Sequence, residues 1–295
     1  MIRIYCIACM LFASLWAGIL HDRTDLEGED ERGARISSHV TLVSDVAYGK
    51  HPKERFDVYT PQHTTPLASL PVIFMVHGGA WMIGDKTYQN VIENKVAYWV
   101  EQKGYLLVSI NYPMLPTTPV SDQLKSVAKA LGYFQANAEK YGGDKNKVVL
   151  MGHSAGAHLI AMLASSDALY KTYAITPPKA AVSLDSAVLD TPSLMSTKHL
   201  RLYDRAFGDN PAYWQALSPY HQLSTKRMPF AAVCSTKRDD SCPQAKAFLE
   251  KAASLGTVVV LVEEPMSHKD ISALLGKELV YTKRVDDFIA TSLER

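Results

Sequence analysis

Hydrophobic and polar positions follow two different patterns along this chain. Near its beginning, the segments "VTLVSDVAY" and "RFDVYTP" alternate with a period of two, which predicts an antiparallel pair of strands. From about residue 70 onward, continuous apolar runs alternate with segments of helical spacing. Apolar runs of this kind are typical of strands that are covered on both faces. The alternation predicts an α/β fold, with a mostly parallel central sheet and helices on both faces.

The predicted elements of this fold can be located directly in the printed sequence. The strands are "LPVIFMVHGG", "YLLVSINY", "KVVLMGHS", "KAAVSLDSAVL", "PFAAVCS" and "TVVVLVEEP". The helices are "YQNVIENKVAYWVEQKG", residues 120–141, "AGAHLIAMLASS", "CPQAKAFLEKAASLG" and residues 270–293.

Residues 191–226 interrupt the alternation where a regular crossover needs only about a dozen residues. The segment is rich in aromatic residues, and its spacing is partly helical. In open α/β sheets ligands bind at the carboxyl ends of the strands, so we predict that this insertion is a lid over that edge. A structural pair of helices packed on the edge of the sheet is the alternative.

The first twenty residues differ from the rest of the chain. They carry one charge, Arg3, ahead of an apolar run over residues 4–20, which predicts a signal peptide. An uncleaved membrane anchor and a buried first helix are the alternatives. Residues 21–38 are charged and lack periodicity, as expected for a flexible linker. We therefore expect an exported protein, periplasmic or secreted, whose folded domain comprises residues 39–295.

Composition narrows the set of partners. The 295 residues carry a net charge of +1 without a basic cluster, so nothing indicates nucleic-acid binding, and a small molecule is the expected partner.

Cys6 and Cys9 belong to the predicted leader. Cys234 and Cys242 remain as an even pair, which in an exported protein indicates a disulfide. Two independent core thiols are the alternative.

The segment "GHSAG" places Ser154 between Gly152 and Gly156, at the junction of a predicted strand and a predicted helix. This context is typical of the nucleophile elbow, a sharp turn that exposes a serine oxygen. Small neighbouring residues let the strand and the helix pass closely. The N-terminus of the helix directs free N–H groups toward developing negative charge.

A second glycine motif, "VHGGAW", ends another predicted central strand. Attack by a serine on a carbonyl creates an oxyanion, which needs preorganised hydrogen-bond donors. Gly78 and Gly79 can turn backbone N–H groups toward such a site without an obstructing side chain. The N–H of Ala155, which follows the nucleophile, is a third donor. We interpret His77 as a residue that orders this loop.

Together these motifs resemble the α/β-hydrolase superfamily, in its group of hormone-sensitive-lipase-like and carboxylesterase-like enzymes, which includes kynurenine formamidase-type enzymes. The resemblance covers about residues 40–295 and includes "VHGGAWMIGDK", "GHSAGAHL", "LSPYHQL" and "SHKDI" in the expected order. It implies that Ser154 is the nucleophile and that Gly78, Gly79 and Ala155 form the oxyanion hole.

The order of catalytic residues in this fold is serine, acid, histidine. Among ten histidines, only His268 follows the last predicted strand, so it is the predicted base. The acid is expected in the loop "TKRDDSC" after "PFAAVCS". We favour Asp240, which leads into the following helix, with Asp239 as the alternative and Glu264 next.

These residues predict a serine hydrolase that cleaves carboxylic esters through an acyl-enzyme. An aryl formamidase or amidase with the same triad is the alternative, and a non-catalytic binding protein on the same scaffold is a further one. The sequence contains no zinc-protease, nucleotide-binding or dinucleotide-binding motif. We therefore expect neither a cofactor nor a metal.

Overall fold

The structure is a computed structural model that describes residues 33–186, 188–277 and 279–295. The described residues form one eight-stranded sheet with the order β1-β2-β4-β3-β5-β6-β7-β8. The strands are β1 Val40–Ala47, β2 Arg55–Pro61, β3 Leu70–Val76, β4 Leu106–Ile110, β5 Gly143–His153, β6 Ala180–Leu184, β7 Phe230–Ser235 and β8 Val259–Glu264.

Helices cover both faces of this sheet. Their bounds are α1 Gln89–Lys95, α2 Val120–Ala136, α3 Ala155–Ser165, α4 Thr191–Met195, α5 Arg201–Phe207, α6 Pro211–Ala216, α7 Pro219–Gln222, α8 Ser241–Ser254, α9 His268–Ala273 and α10 Val280–Leu293. A π-helical segment, Val96–Gln102, continues α1, and a short 3₁₀ turn, Ala138–Tyr141, follows α2.

The strand pairing confirms the predicted fold. Strand β2 pairs in antiparallel fashion with β1 and β4, and the pairs from β4 through β3 to β8 are parallel. Separate apolar clusters lie on the two faces of the sheet, because alternate side chains of each central strand point in opposite directions. The central strands are therefore apolar throughout.

The topology brings the two glycine motifs together. Strands β3 and β5 are neighbours and run parallel, with Val76 paired to Gly152 at their carboxyl ends. The loop "HGGAW" after β3 and the elbow "GHSAG" after β5 consequently begin side by side at one edge of the sheet.

Two predicted helices differ from those observed. The predicted helix 270–293 is two helices, α9 and α10, separated by a turn at Gly276. That glycine has a φ of +103°, and a side chain there would overlap the carbonyl of Asn94. The predicted helix 120–141 is regular only to Ala136, after which the 3₁₀ turn continues to the left-handed Gly142.

The predicted leader, residues 1–20, lies outside the described residues, as does most of the predicted linker. The last part of that linker contacts the domain: Gly33 forms a β-bridge with Tyr88, and Ile36 packs against the apolar cluster beside α1. Within the part of the chain that the structure describes, every helix is too short or too polar to cross a bilayer.

A buried ion pair anchors the end of the "HGGAWMIGDK" segment. The Lys86 ammonium lies 2.8 Å from a carboxylate oxygen of Asp57 on β2 and 3.0 Å from Asp45. The side chains of Lys86 and Asp57 are 5% and 2% exposed. Removing one partner of a buried ion pair leaves the other charge buried without compensation. The resulting loss of folding free energy is larger than that from breaking a surface ion pair.

We therefore expect Lys86→Met to lower the free energy of unfolding by about 3–5 kcal/mol, because the Asp57 carboxylate would remain buried without its cation. Urea unfolding measures this change. Lys125→Met is the matched control, since Lys125 pairs with Asp122 at the surface, and such pairs contribute at most about 1 kcal/mol. Equal losses in the two variants would contradict the assignment.

Candidate active site

Ser154 occupies a strained turn between β5 and α3. Its φ of 52° and ψ of −117° lie outside the regions that a non-glycine residue normally adopts. The flanking glycines permit this turn, because a side chain on Gly152 would overlap the backbone of Gly156 and one on Gly156 would overlap the carbonyls that end β3. Strain of this kind persists where surrounding packing enforces it, often at active sites.

The loop after β3 approaches the same place with unpaired donors. Gly79 has a φ of 109°, and a side chain there would overlap the carbonyl of Ile83. Among the described residues, the backbone N–H groups of Gly78, Gly79 and Ala155 donate to no protein acceptor. Unpaired N–H groups beside an elbow serine suit the negative oxygen of a tetrahedral intermediate.

His77 holds the glycine loop in shape. Its Nδ1 donates to the carbonyl of Gly78 at 2.7 Å, and its ring stacks on that of Tyr112. Burial lowers the pKa of His77 to about 4, so the ring is neutral at neutral pH. This geometry agrees with the interpretation that His77 orders the loop.

His268 lies at the first position of α9, after β8. The side chain of His153, the residue before Ser154, supports it: Nε2 donates to the carbonyl of His268 at 3.0 Å, and the two ring centroids are 4.5 Å apart. Burial keeps the pKa of His153 well below its usual range. A neutral His153 therefore positions the backbone of His268 beside the elbow.

The carboxylate that contacts His268 belongs to Asp185, which follows β6. Nδ1 of His268 donates to Oδ2 of Asp185 at 2.6 Å. Asp185 is fully buried, and burial alone would raise its pKa. His268 lowers the pKa of Asp185 through its hydrogen bond and its positive charge, and the charge of Arg238 adds to this effect. The pKa of Asp185 therefore lies well below its usual range. The carboxylate is ionised at neutral pH.

The prediction that Asp240 orients His268 does not agree with this geometry. Asp240 precedes α8, and its two carboxylate oxygens lie 3.2 Å from Nε and 3.3 Å from Nη2 of Arg238. Asp239, the alternative, is exposed to solvent, and Glu264 lies near Arg284. Arg238 fills the space between Asp240 and the histidine, so the loop after β7 presents a cation where an acid was expected.

The site brings together Ser154, His268 and Asp185, the residue types of a serine–histidine–acid triad, with the acid directly after β6. The Ser154 backbone N–H donates to the carbonyl of Leu184, which places the serine next to Asp185. Within the described residues the Ser154 hydroxyl forms no hydrogen bond with His268. Such contacts often tighten only when substrate binds.

The inserted segment 191–226 contacts the glycine loop through aromatic rings. Phe207 and Tyr203 on α5 lie 5.0 and 6.2 Å from the ring of Trp81, between centroids. His158 on α3 donates from Nε2 to the carbonyl of Leu217 at 2.8 Å, which ties the insertion to the helix that begins at the nucleophile. The side chains of the insertion therefore border the site.

A disulfide joins Cys234 at the end of β7 to Cys242 in the first turn of α8, which confirms the predicted bridge. These two cysteines and Glu263 form the one group of three or more metal-ligand types within reach of each other in the described part of the chain. Both sulfur atoms are engaged in the bridge, so this group does not offer thiolates to a metal.

The sequence motifs did not indicate Asp185, Arg238 or the positioning role of His153. A usable signal for Asp185 was present, since it directly follows a strand adjacent to β5, at the same edge as Ser154. Arg238 had no such signal, because a single arginine in a polar loop is ordinary.

Comparison with known proteins agrees with this architecture. The sequence model of the BD-FAE family matches residues 56–251, more than half of the chain, and the chain belongs to that family. Esterase LipQ of Mycobacterium tuberculosis is 28% identical over an alignment of length 293, which covers 89% of this chain and 68% of LipQ. The isoprenylcysteine alpha-carbonyl methylesterase ICME of Arabidopsis thaliana is 32% identical over 116 residues, 39% of this chain and only 26% of the plant protein's length.

Solved structures share the fold at low sequence identity. A truncated form of a carbohydrate esterase from gut microbiota superposes with a TM-score of 0.75 and 15% identity, covering 90% of this chain and 100% of that one. Esterase 2 of Thermogutta terrifontis gives a TM-score of 0.69 and 21% identity, with 87% and 96% covered. This likeness shows that the chain shares the fold of these two esterases.

The glycine loop allows a direct test of the oxyanion hole. Gly79→Ala should lower kcat by about 10²–10³-fold with a smaller change in KM, because the displaced N–H groups act on the transition state. Gly104→Ala is the matched control: Gly104 also has a positive φ, but no atom lies where its side chain would be. Steady-state hydrolysis of a p-nitrophenyl ester measures both. A rise in KM alone for Gly79→Ala would mean that the loop only shapes the pocket.

Proposed function

We propose that this protein is a serine hydrolase that cleaves carboxylic esters of small or aryl type. The observation that carries the proposal is the strained Ser154 at the N-terminus of α3, beside the hydrogen-bonded pair of His268 and Asp185. The named esterases among its relatives support the same reaction. The matched segments span only part of the plant methylesterases, so the activity is inferred chiefly from this site.

The proposed reaction begins with attack of the Ser154 oxygen on the carbonyl carbon of the ester. His268 accepts the serine proton at Nε2, while its Nδ1–H remains bonded to Asp185, which stabilises the imidazolium. The N–H groups of Ala155 and the two loop glycines bind the oxyanion. His268 then protonates the departing alcohol, and water releases the acid from the acyl-enzyme by the same steps in reverse roles.

The alternative substrate class is an aryl formamide, whose hydrolysis needs the same triad. A panel of p-nitrophenyl esters of increasing acyl length, with N-formylkynurenine beside them, separates the two classes by kcat/KM. Preference for the formamide by more than about tenfold would replace the ester assignment. A protein that used this scaffold only for binding would hydrolyse neither substrate.

We also propose that the protein is exported and that residues 191–226 act as a lid. The bridge between Cys234 and Cys242 supports an oxidising compartment. The aromatic contacts of Tyr203 and Phe207 with Trp81 support a lid that closes over the glycine loop. Mass spectrometry of the mature chain from its native host would show whether the N-terminal segment is removed.

The identity of the triad acid gives the sharpest mutational test of this mechanism. Asp185→Asn should lower kcat by about 10⁴-fold, because an amide neither fixes the productive tautomer of His268 nor stabilises its imidazolium. Asp239→Asn, which alters an exposed carboxylate, is the matched control and should retain most activity. Circular dichroism would confirm that both variants are folded.

Two other outcomes would contradict the proposal. Full activity of Asp185→Asn together with loss of activity in Asp239→Asn would mean that the triad acid lies in the loop after β7. Substantial activity of Ser154→Ala would contradict the serine mechanism, because every step of that mechanism depends on the Ser154 oxygen.

A further inference from the structure

The end of β7, the loop after it and the start of α8 surround the buried acid with donors. The Ser235 N–H and the Ser241 hydroxyl donate to Oδ1 of Asp185 at 2.7 and 2.5 Å. Each serine is the immediate neighbour of one cysteine of the Cys234–Cys242 bridge. The bridge therefore fixes both ends of the segment that holds Asp185.

Arg238, in the middle of this loop, adds a charged contact. Its Nη1 donates to Oδ2 of Asp185 at 3.0 Å and lies 2.6 Å from Nδ1 of His268. A guanidinium cannot accept a hydrogen bond, so this group competes with the histidine for Oδ2. A cation so close to His268 also opposes formation of the imidazolium, which the proposed reaction requires.

Asp240 offsets that effect. Its carboxylate binds Nε and Nη2 of Arg238, on the side of the guanidinium that does not contact Asp185. With Asp240 in place, the charges beside His268 are two carboxylates and one guanidinium, so one negative charge remains in excess. Without Asp240, the guanidinium would neutralise Asp185, and no net charge would remain to stabilise the imidazolium.

We propose that Arg238 and Asp240 are a charge-balanced pair beside the base of the proposed hydrolase: the guanidinium of Arg238 opposes protonation of His268, and the carboxylate of Asp240 balances that guanidinium. The inference rests on the proposed function. It assigns Asp240 an indirect role through Arg238 and not that of the triad acid.

Several titratable or charged groups around His268 influence whether its ring is protonated. They are Asp185 after β6, Arg238 and Asp240 in the β7–α8 loop, His153 on β5, Tyr203 on α5 near Arg238, and Asp270 on α9 itself. Of these, Arg238 and Asp240 are the two charges that the test removes. Asp185 keeps its donors from Ser235, Ser241 and His268 when Arg238 is replaced.

The test is a double-mutant cycle on the full-length protein, with kcat, KM and the pH profile of kcat/KM for a neutral p-nitrophenyl ester. Asp240→Asn should lower kcat by about tenfold or more and move the acidic limb to lower pH, because Arg238 is then unbalanced. Adding Arg238→Met to that variant should restore most of the lost kcat and return the limb toward its wild-type position.

Single substitutions of Arg238 complete the cycle. Arg238→Met should move the acidic limb of the kcat/KM profile to higher pH by about half a unit or more. Loss of a cation beside His268 makes its protonation easier. Arg238→Lys, which keeps the charge, should leave the limb near its wild-type position. Lys237→Met, which removes an exposed neighbouring cation, is the control for a general charge effect and should leave both kcat and the limb unchanged.

Three results would overturn the proposal. A double variant as inactive as Asp240→Asn, with an active Asp185→Asn, would make Asp240 the acid. Losses of activity that follow losses of thermal stability, with an unchanged pH profile, would make the pair structural only. A rise in KM limited to anionic esters in Arg238→Met would make Arg238 a substrate-binding residue. Activity in Ser154→Ala would instead contradict the proposed function itself, independently of the pair.

Discussion

The site is organised around one buried charge, the carboxylate of Asp185. An ionised group without contact with solvent is stable only when its oxygens are fully hydrogen bonded. Four donors meet this requirement, from Ser235, Ser241, Arg238 and His268. Because the first three come from the end of β7, the loop after it and the start of α8, and the fourth from the start of α9, satisfying this single charge fixes two segments at the carboxyl edge of the sheet.

The same edge receives the nucleophile and the oxyanion donors because of the order of the strands. Strands β3, β5 and β6 are consecutive neighbours in the sheet, so the glycine loop, Ser154 and Asp185 begin side by side. Gly156 allows α3 to lie directly against the end of β3. The positions of Ser154 and of the glycine loop therefore follow chiefly from main-chain packing, whereas the position of His268 also depends on the side chain of Asp185.

Much of this arrangement could be predicted from the sequence. Continuous apolar strands alternating with amphipathic helices indicate a parallel sheet, and the two glycine motifs indicate which loops meet. Ser154 and His268 follow from their places after particular strands. The break at Gly276 was missed because both sides of it continue a helical pattern, and only the contact with Asn94 shows why a left-handed residue is needed there.

The acid could not be predicted in the same way. Asp185, Asp239 and Asp240 all follow strands at the correct edge, and sequence order alone permits each of them. What separates them is the direction of the side chain after the turn. Asp185 itself has a φ of 52°, and its side chain points to His268. The carboxylate of Asp240 instead forms an ion pair with Arg238. Such directions depend on packing between elements far apart in sequence.

The central claim is that Ser154 is an activated nucleophile at the elbow. The most direct measurement is the intact mass of the protein after treatment with a fluorophosphonate, followed by peptide mapping of the adduct. Covalent catalysis predicts one adduct per chain on Ser154, with its formation slowed strongly in Asp185→Asn. An unmodified chain, or an adduct on another residue while Ser154 remains free, would contradict the account.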